Sequence, residues 1–532
     1  MKHKALLLLS LGLLFLIQVG GICWSQTTER VSVDSDGNEG LGPSSAPSIS
    51  ADGRYVAFES SADNLVAGDL LGFIDIFVHD RDKDGNGTYD EVGAISTVRV
   101  SVNSLGSEGN GHSYSPFISG DGMHVAFESN ANDLVAGDTN PLSDIFVHDM
   151  AGVTTTLVSV DSAGAQDPLP SSSSSPSLSS NGRYVAFDSD ADLVATDNNG
   201  FFDIFVHDRD TDEDGTYDEV GAISTIRVSV DSGGGEADGD SNSPSISADG
   251  RYVAFDSDAT DLVGSDNNGK FDIFVHDLQT GTTIRVSVDS GGGEANGDSN
   301  SPSISGDGRY VAFESSAPDL VSSDNNGKVD IFVHDRDADG NGIYDEVGGI
   351  STVRVSLVTG GGEGNGDSSA PSISSSDGKY VAFDSYANLV AADSGLFSDI
   401  FVYERESLPP TVDSTSPAHN ANDVAVGSSI TATFSEPMNG STIDTNTFTL
   451  DNGVTGTVSY DANSTTATFT PTNNLNYETT YTATLTTAAA DLAGNPMLTD
   501  YTWSFTTQSE KNNSRGSGPC FIGTAASDWA DF

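Results

Sequence analysis

The chain has 532 residues, of which 79 are acidic and 21 basic, for a formal net charge of -58. A surface this acidic repels nucleic acid and anionic lipid, so nucleic-acid-binding functions are excluded and no nucleic acid is expected among the partners. Such self-repulsion favours bound cations, and Ca2+ is the first candidate because carboxylate oxygens suit it.

Residues 1–25 predict a secretory signal peptide. Lys2 and Lys4 precede an apolar run, 5–19, and small residues follow up to Ser25. The run is too short for a membrane span, and none is expected in the mature chain. Cleavage after Ser25 is the favoured interpretation, and a lipid anchor at Cys23 is the alternative. We therefore expect an exported protein that is periplasmic, cell-surface or extracellular.

A phrase of the type Pro-Ser-x-x-Ser-x-Asp-Gly-x-x-Val-Ala-Phe recurs six times, beginning at Pro47, Pro116, Pro176, Pro244, Pro302 and Pro371. The period alternates between about 59 and 69 residues, which is typical of four-stranded propeller blades. In each unit an Asp-Gly turn joins two short strands, termed a and b, and Asp-Ile-Phe-Val forms strand c. Strands b and c are apolar on both faces, which indicates sheets packed between neighbouring sheets.

The fourth strand, d, follows only the first five units, at 97–102, 154–160, 225–230, 283–288 and 352–357. The sixth unit runs from its strand c directly into Pro409, whereas a matching strand stands at the start of the chain, 29–34. The predicted fold class is therefore all-β, with a six-bladed β-propeller over residues 26–406 closed by that N-terminal strand. Closure of this kind leaves no open sheet edge.

These repeats resemble the TolB-type six-bladed propellers built from WD40-like (PD40) repeats, whose blades carry the same Ser-x-Asp-Gly-x-x-Val/Ile-Ala-Phe and Asp-Ile-Tyr/Phe phrases. The resemblance covers residues 29 to 405. The small α/β domain that precedes the propeller in TolB itself has no counterpart here. The resemblance therefore implies the propeller fold and does not imply membership of the Tol system.

Three acidic inserts separate strands c and d, in units one, three and five. The first and third match the twelve-residue calcium loop, with Asp at positions 1, 3 and 5, Gly at 6 and Glu at 12. They resemble EF-hand and dockerin loops in spacing only, because strands flank them. The second has Glu213 where Gly is expected, so a register shifted by two residues is open to it. Solvated acidic turns are the alternative for all three.

The sequence thus predicts two or three structural Ca2+ sites at the outer rim of the propeller. The candidate ligands are Asp80, Asp82, Asp84, Asn86 and Glu91 in the first insert, Asp208, Asp210, Asp212, Asp214 and Glu219 in the second, and Asp335, Asp337, Asp339, Asn341 and Glu346 in the third.

The loops from strand b to strand c each hold two aspartates six residues apart, at 69/75, 138/144, 197/203, 266/272, 324/330 and 393/399. Sixfold repetition favours a structural role as turn formers and hydrogen-bond acceptors, with calcium or ligand binding as the alternative. Strand c also ends in one histidine in each of five units: His79, His148, His207, His276 and His334. One histidine per blade cannot share an ion with the next, so these are expected to be structural.

Beyond Pro410 the chain becomes rich in Thr and alternates apolar with polar residues, which predicts an Ig-like β-sandwich over 409–507. The segments 434–438, 491–495 and 503–507 resemble the SbsA-type bacterial Ig-like domain of surface-layer and secreted proteins, which implies a spacer or adhesion role. Residues 508–532 are expected to form a disordered tail. Cys520, within a Cys-Phe-Ile-Gly-Thr-Ala-Ala element, is a candidate for surface attachment.

The sequence contains no nucleophile elbow, zinc-binding helix or glycine-rich phosphate loop, so a non-enzymatic protein is predicted. The leading hypothesis is an exported binding or adhesion protein whose calcium-stabilised propeller recognises an unidentified protein or polysaccharide. Two alternatives stay open. One is a secreted carbohydrate-active enzyme, a glycosidase or lyase that uses carboxylates of the top face. The other is a structural component of a surface layer.

Overall fold

The computed structural model describes residues 29–510 except 92, 168–170, 265, 323, 339–340, 359–361, 375–377, 391–397, 405–409, 436–437, 462–464, 491–496 and 498. The predicted signal peptide with Cys23, the C-terminal tail with Cys520, and the candidate ligand Asp339 lie outside the described residues.

Each of the first five units is a four-stranded antiparallel sheet in the order a-b-c-d. The strands are β1 (Ser44–Ile49), β2 (Tyr55–Ser60), β3 (Asp75–Asp80) and β4 (Ser96–Arg99) in unit one. Unit two has β5 (Ser113–Ile118), β6 (His124–Ser129), β7 (Asp144–Asp149) and β8 (Thr154–Leu157). Unit three has β9 (Ser173–Leu178), β10 (Tyr184–Ser189), β11 (Asp203–Asp208) and β12 (Ser224–Arg227).

Unit four contains β13 (Ser241–Ile246), β14 (Tyr252–Ser257), β15 (Asp272–Asp277) and β16 (Thr282–Arg285), and unit five contains β17 (Ser299–Ile304), β18 (Tyr310–Ser315), β19 (Asp330–Asp335) and β20 (Ser351–Arg354). A short hairpin, β21 (Leu357–Val358) and β22 (Gly362–Glu363), follows unit five. Unit six has three strands, β23 (Ser368–Ile373), β24 (Tyr380–Ser385) and β25 (Asp399–Glu404). The predicted all-β repeat architecture is confirmed, although strand d is shorter than predicted.

The apolar core lies between successive sheets. One cluster joins Ala186, Ile204 and Val206 of unit three to Val253 and Phe255 of unit four, and similar clusters join units one and two and units two and three. Within each sheet a phenylalanine of strand b stacks on one of strand c, as Phe255 does on Phe274 at 5.9 Å. Both faces of each central sheet are therefore buried, as the two-sided apolar pattern predicts.

An aromatic side chain of each unit lies under the Asp-Gly hairpin turn of the next. The Gly250 turn has a φ of 77°, and a Cβ built on it would lie 2.1 Å from Cδ2 of Tyr184 in the preceding unit. A side chain at Gly250 would thus clash with the neighbouring unit as well as strain the turn. The recurring glycine is required by packing between units and by the turn itself.

A carboxylate of strand b also links units one, three, four and five to the unit that follows each of them. Strand a contains a β-bulge whose residue has a positive φ, as at Ser243 and Ser301 with φ of 55° and 54°. The Ser243 amide donates to Asp188 Oδ2 at 3.1 Å, and the Ser301 amide donates to Asp256 Oδ1 at 3.2 Å. The bulge turns a backbone donor toward the preceding blade, where a carboxylate receives it.

Residues 31–39 occupy the position beside unit one that the end of the preceding strand d occupies beside units two, three and five. Val33 bridges Glu39 as Val102 bridges Glu108, and Thr97 Oγ1 donates to the Val33 carbonyl oxygen. The outer edge of β25 has no paired strand among the described residues, and Ile400 is 74 % exposed. Closure by the N-terminal strand therefore stays a prediction.

The C-terminal region forms a two-sheet sandwich. Strands β26 (Val412–Ser416), β28 (Ile430–Phe434), β31 (Thr466–Pro471) and β30 (Gly456–Asp461) make one sheet, and β27 (Ala421–Val424), β33 (Tyr501–Thr507), β32 (Thr480–Leu485) and β29 (Phe448–Leu450) make the other. Its core contains Trp503, Tyr481 and Phe469. The described residues include no helix of a length and hydropathy that would cross a membrane.

Asp256, whose carboxylate accepts a hydrogen bond from the Ser301 amide, should make the stability of the folded chain depend on pH. Burial raises the pKa of Asp256 to about 7, and repulsion from Asp188 and Glu314 raises it further, while hydrogen bonds from Ser301 and Ser243 partly offset the rise. The folded state therefore binds more protons than the unfolded state between about pH 4 and pH 7, and this group loses its stabilising contribution as pH rises through that window.

Replacing this aspartate with Asn should make the stability of the propeller less dependent on pH. For Asp256→Asn we expect the free energy of unfolding to fall less between pH 5 and pH 8 than in the unmodified chain, by about one proton in the linkage slope. Urea unfolding at each pH measures this, with Asp258→Asn, an exposed neighbour, as the matched control. An unchanged slope in Asp256→Asn would contradict the prediction.

Closure fixes a register that can be tested by cross-linking. Arg30 stands three residues before Val33, as Arg99 stands before Val102, and Arg99 pairs with Phe77. The corresponding partner of Arg30 is Phe401. Cα atoms of a non-hydrogen-bonded antiparallel pair are about 4.5 Å apart, which permits a disulfide. In a chain from residue 26 with Cys520→Ser, we expect Arg30→Cys and Phe401→Cys to form a bond on oxidation.

The control for this cross-link is the pair Arg30→Cys and Ile400→Cys, which is out of register by one residue, so its side chains point to opposite faces. Peptide mapping under non-reducing conditions identifies the bond. Equal cross-linking in both variants, or none in either, would be evidence against closure by this strand.

Candidate metal centres

The three acidic inserts connect strands c and d, and those of units one and three fold against the hairpin turn between strands a and b of the same unit. In unit one, Arg81 pairs with Asp90 at 2.5 Å and donates to the Gly53 carbonyl, while Tyr89 donates to the Asp52 carbonyl. In unit three, Arg209 likewise pairs with Asp218 and donates to Gly182. These contacts fix the base of both inserts, because an arginine at the start of each insert pairs with an aspartate near its end.

The first aspartate of each insert is engaged by an arginine. Asp80 receives two hydrogen bonds from Arg54 at 2.8 and 2.9 Å, and Arg183 and Arg309 contact Asp208 and Asp335 in the same way. Unit four has no insert, yet Asp277 at the same position forms the same pair with Arg251. These aspartates therefore serve the end of strand c in units with and without an insert.

The lowered pKa of Asp277 indicates that the aspartate at this position is ionised. Burial by itself would raise its pKa, but hydrogen bonds from Arg251 and the Gln279 amide hold it at about 2. An oxygen pair already taken by a guanidinium is a poor source of metal ligands. The predicted ligands Asp80, Asp208 and Asp335 thus lie beside the inserts with their carboxylates committed to arginine.

The inserts fold around the second aspartate instead. Asp82 accepts the amides of Asn86 and Gly87, each at 2.9 Å. Desolvation by itself would raise the Asp82 pKa, but these hydrogen bonds and the charge of Arg54 lower it. Asp210 accepts the corresponding amides of Asp214 and Gly215 at 3.1 and 3.0 Å, and Asp337 those of Asn341 and Gly342. All three inserts therefore share one register.

Counting from the second aspartate places a glycine at the sixth position in every insert. Gly87, Gly215 and Gly342 have φ of 82°, 86° and 81°, which the sharp turn requires. The shifted register that the sequence suggested for the second insert alone is thus the geometry of all three. The first and third inserts also have a glycine at 85 and 340, which is the sixth position when counting starts from the first aspartate. From sequence alone, those two inserts therefore fit either register.

The second insert has the strongest cluster of carboxylates. One oxygen each of Asp210, Asp212 and Asp214 lie within 4.8 Å of one another. Desolvation and the neighbouring charges of Asp214 and Asp210 raise the pKa of Asp212. Mutual repulsion of this kind is relieved by a cation, and Ca2+ with oxygen distances of about 2.3–2.6 Å suits three converging carboxylates.

In the first and third inserts an asparagine replaces the third carboxylate. The side-chain amide of this asparagine donates hydrogen bonds to neighbouring carboxylates. Asn86 Nδ2 donates to Asp84 Oδ2 at 3.1 Å and to Glu91 Oε2 at 2.6 Å. Asn341 Nδ2 donates to Glu346 Oε2 at 2.6 Å. Glu91 and Glu346 therefore approach the loop, whereas Glu219 has no side-chain partner among the described contacts. The sequence ranked the second insert lowest, but its geometry is the most favourable of the three for a cation.

The histidines of strand c lie apart, one in each sheet. The Nδ1 atom of each lies 2.8–2.9 Å from a threonine Oγ1 of strand d, as His207 does from Thr225. Burial lowers the pKa of His148, His207 and His334 to about 4. They are neutral groups that connect strands c and d.

Sequence reasoning missed one recurring residue, an arginine of strand d. The aspartate pairs of the b-to-c loops surround Arg99, Arg227, Arg285 and Arg354 in units one, three, four and five, together with one glutamate that follows strand d. The Arg-Val-Ser or Arg-Val-Ser-Val phrase that ends strand d was visible in the sequence. The positive charge of this arginine, in a chain with 79 acidic and 21 basic residues, was the signal that could have identified it.

The family model described as Bacterial Ig-like domain matches residues 406–507. No curated protein matches the chain. A TolB structure from Agrobacterium tumefaciens is 18% identical, covering 68% of this chain and 90% of its own, with a TM-score of 0.34. A TolB structure from Acinetobacter baumannii is 16% identical, covering 66% of this chain and 64% of its own, with a TM-score of 0.29.

A puromycin-hydrolysing peptidase from Mycobacterium tuberculosis is 14% identical, covering 66% of this chain and 45% of its own, with a TM-score of 0.33. Likeness at these values concerns fold, and no function is taken from it. The repeat phrases and the blade-like sheets define the class: a TolB-like β-propeller followed by a C-terminal bacterial Ig-like domain.

Exchanging the third ligand between two inserts should exchange their calcium affinities. Asn86→Asp completes three carboxylates in the first insert, so we expect tighter binding there, by about tenfold, because affinity follows ligand charge. Asp214→Asn should weaken the second insert by a similar factor. Calorimetric titration of the full chain measures both. Asn132→Asp, which adds the same charge at an exposed position of unit two, is the control; an equal change there would refute a local effect.

Proposed function

We propose that this chain is an exported, non-enzymatic binding or adhesion protein whose calcium-stabilised propeller is the recognition platform and whose Ig-like domain is a spacer. The observation that carries the binding part is repetition. Polar groups of the propeller recur from unit to unit, as with the arginine-centred clusters of units one, three, four and five. An enzyme needs one asymmetric set of groups at one place, whereas a repeated surface suits recognition of an extended partner.

Calcium enters the proposal through the inserts. The ligand register that we propose is Asp82, Asp84 and Asn86 in the first, Asp210, Asp212 and Asp214 in the second, and Asp337, Asp339 and Asn341 in the third. Binding to the folded state alone stabilises it by about 2.7 kcal/mol per site when calcium is in hundredfold excess over Kd. Since each insert connects two strands of one blade, the ions would brace the rim of the propeller.

Export rests on residues 1–25, and the proposed compartment is the periplasm, the cell surface or the extracellular medium, where millimolar calcium is compatible with weak sites. The partner that fits a strongly acidic platform is a protein or polysaccharide that is neutral or basic, or that binds through calcium. Attachment through Cys520 is a separate part of the proposal, and intact-mass analysis of cell-derived protein tests it directly.

Calcium removal should lower both stability and ligand binding. For the chain from residue 26, we expect two or three rim sites and a melting temperature lower by several degrees in chelator. Asp210→Asn with Asp212→Asn and Asp214→Asn should remove part of that difference, while Asp423→Asn, an exposed residue of the Ig-like domain, should not. A melting temperature that is the same with calcium and with chelator would contradict the calcium role.

The same preparation separates the three function classes. Arrays of polysaccharides and proteins, probed in calcium and in chelator, should give calcium-dependent binding without turnover. Shortened polysaccharide products would instead establish the enzyme alternative, and ordered two-dimensional assembly without any ligand would establish the surface-layer alternative.

A further inference from the structure

A second set of carboxylate clusters lies where the b-to-c loop meets the segment that follows strand d, in units one, three, four and five. In unit one, Asp69, Asp75 and Glu108 each present one oxygen, and these oxygens lie within 4.8 Å of one another. Asp266, Asp272 and Glu294 form the equivalent cluster in unit four. Both aspartates are buried in each case, at 5 % and 1 % exposure in unit one.

In unit one the arginine does not satisfy all the carboxylates around it, whereas in unit four Arg285 Nη1 lies 2.6 Å from Glu294 Oε1. A single atom, Arg99 Nη1, lies 3.4, 3.2 and 3.3 Å from Asp69, Asp75 and Glu108, whereas a charge-assisted hydrogen bond is about 2.7–2.9 Å long. Asp69 Oδ1 is fully buried, faces this group and accepts no hydrogen bond. Asp266 Oδ1 and Asp324 Oδ1 are in the same state in units four and five.

The charge of the cluster indicates what is missing. Three carboxylates and one guanidinium sum to a net charge of -2 in a buried site, for instance Asp69, Asp75 and Glu108 with Arg99. Buried carboxylates without full compensation are costly, because the low-dielectric interior replaces water around them. One divalent cation would neutralise such a cluster.

Unit two provides an independent observation. Leu157 replaces the arginine there and Gln166 replaces the glutamate, yet both aspartates, Asp138 and Asp144, remain buried. Gln166 Nε2 donates to them at 3.4 and 2.7 Å, and no cationic side chain pairs with either within the described part of the chain. Two carboxylates with a neutral glutamine again sum to -2. Relative to unit one, unit two therefore lacks both the positive charge of the arginine and the negative charge of the glutamate.

We propose that these clusters are a second series of divalent-cation sites, taking Ca2+ through Asp69, Asp75 and Glu108 in unit one and through the corresponding residues of units two to five. If the arginine were the only counter-ion, its loss in unit two would leave two buried aspartates uncompensated. A constant net charge of -2 with and without arginine fits a constant divalent ligand. These sites are separate from the three inserts and do not depend on them.

The test begins with a chain from residue 26 in which the inserts are disabled by Asp82→Asn, Asp210→Asn, Asp212→Asn, Asp214→Asn and Asp337→Asn. Equilibrium dialysis against radioactive Ca2+ at 1 mM counts the ions that remain. We expect ions to remain bound, and Asp69→Asn added to this chain to reduce the count by one. Asp63→Asn, an exposed acid of the same loop, should leave the count unchanged.

A second variant tests whether the net charge of the cluster, and not the arginine itself, determines Ca2+ binding. Arg99→Leu with Glu108→Gln gives unit one the composition of unit two and keeps the net charge, so the count should be retained. Asp266→Asn repeats the loss in unit four, so that one variant failing to fold does not decide the result. The proposal is overturned if the chain with disabled inserts binds no Ca2+, or if neither Asp69→Asn nor Asp266→Asn lowers the count. The rim sites would survive either outcome, since the unmodified chain reports them separately.

Discussion

The structure depends on burial of each sheet by its neighbours. Strands b and c have no polar face, so a single unit could not keep its apolar surface from water, and the clusters that join units three and four show where that surface goes. Two local contacts align the sheets. The aromatic at the start of strand b lies under the next glycine turn, and the carboxylate of strand b receives the bulge amide of the next strand a. Packing between units therefore explains why the glycine, the tyrosine and the acid recur together.

The remaining feature to be explained is charge. A chain with a formal net charge of -58 must keep its carboxylates solvated, paired or bound to cations. The described residues show each solution. Asp80 and its equivalents are paired with arginine, Asp256 receives backbone amides, and Asp212 and Asp214 are exposed in a cluster that a cation would relieve. Carboxylates of one residue type thus have different roles because their neighbours differ.

Units of nearly identical sequence act as internal controls for one another. Asp277 in unit four, which has no insert, shows that the first aspartate of the inserts belongs to strand c and not to a metal loop. Leu157 and Gln166 in unit two show what happens to an aspartate pair when its arginine is absent. Differences between units are informative because the backbone around them is the same.

The sequence by itself determined the repeat, the strand order within a unit, the glycine turns and the C-terminal Ig-like domain, because these follow from hydrophobic periodicity and turn chemistry within short stretches of chain. It also located the inserts, but not their register, since Asp82 and Asp80 are equivalent in spacing and only the approach of Arg54 from another strand distinguishes them. The convergence of Asp69, Asp75 and Glu108 on Arg99 likewise needed the fold. Tertiary structure decided these points because they depend on which distant charges meet, and local patterns carry no information about that.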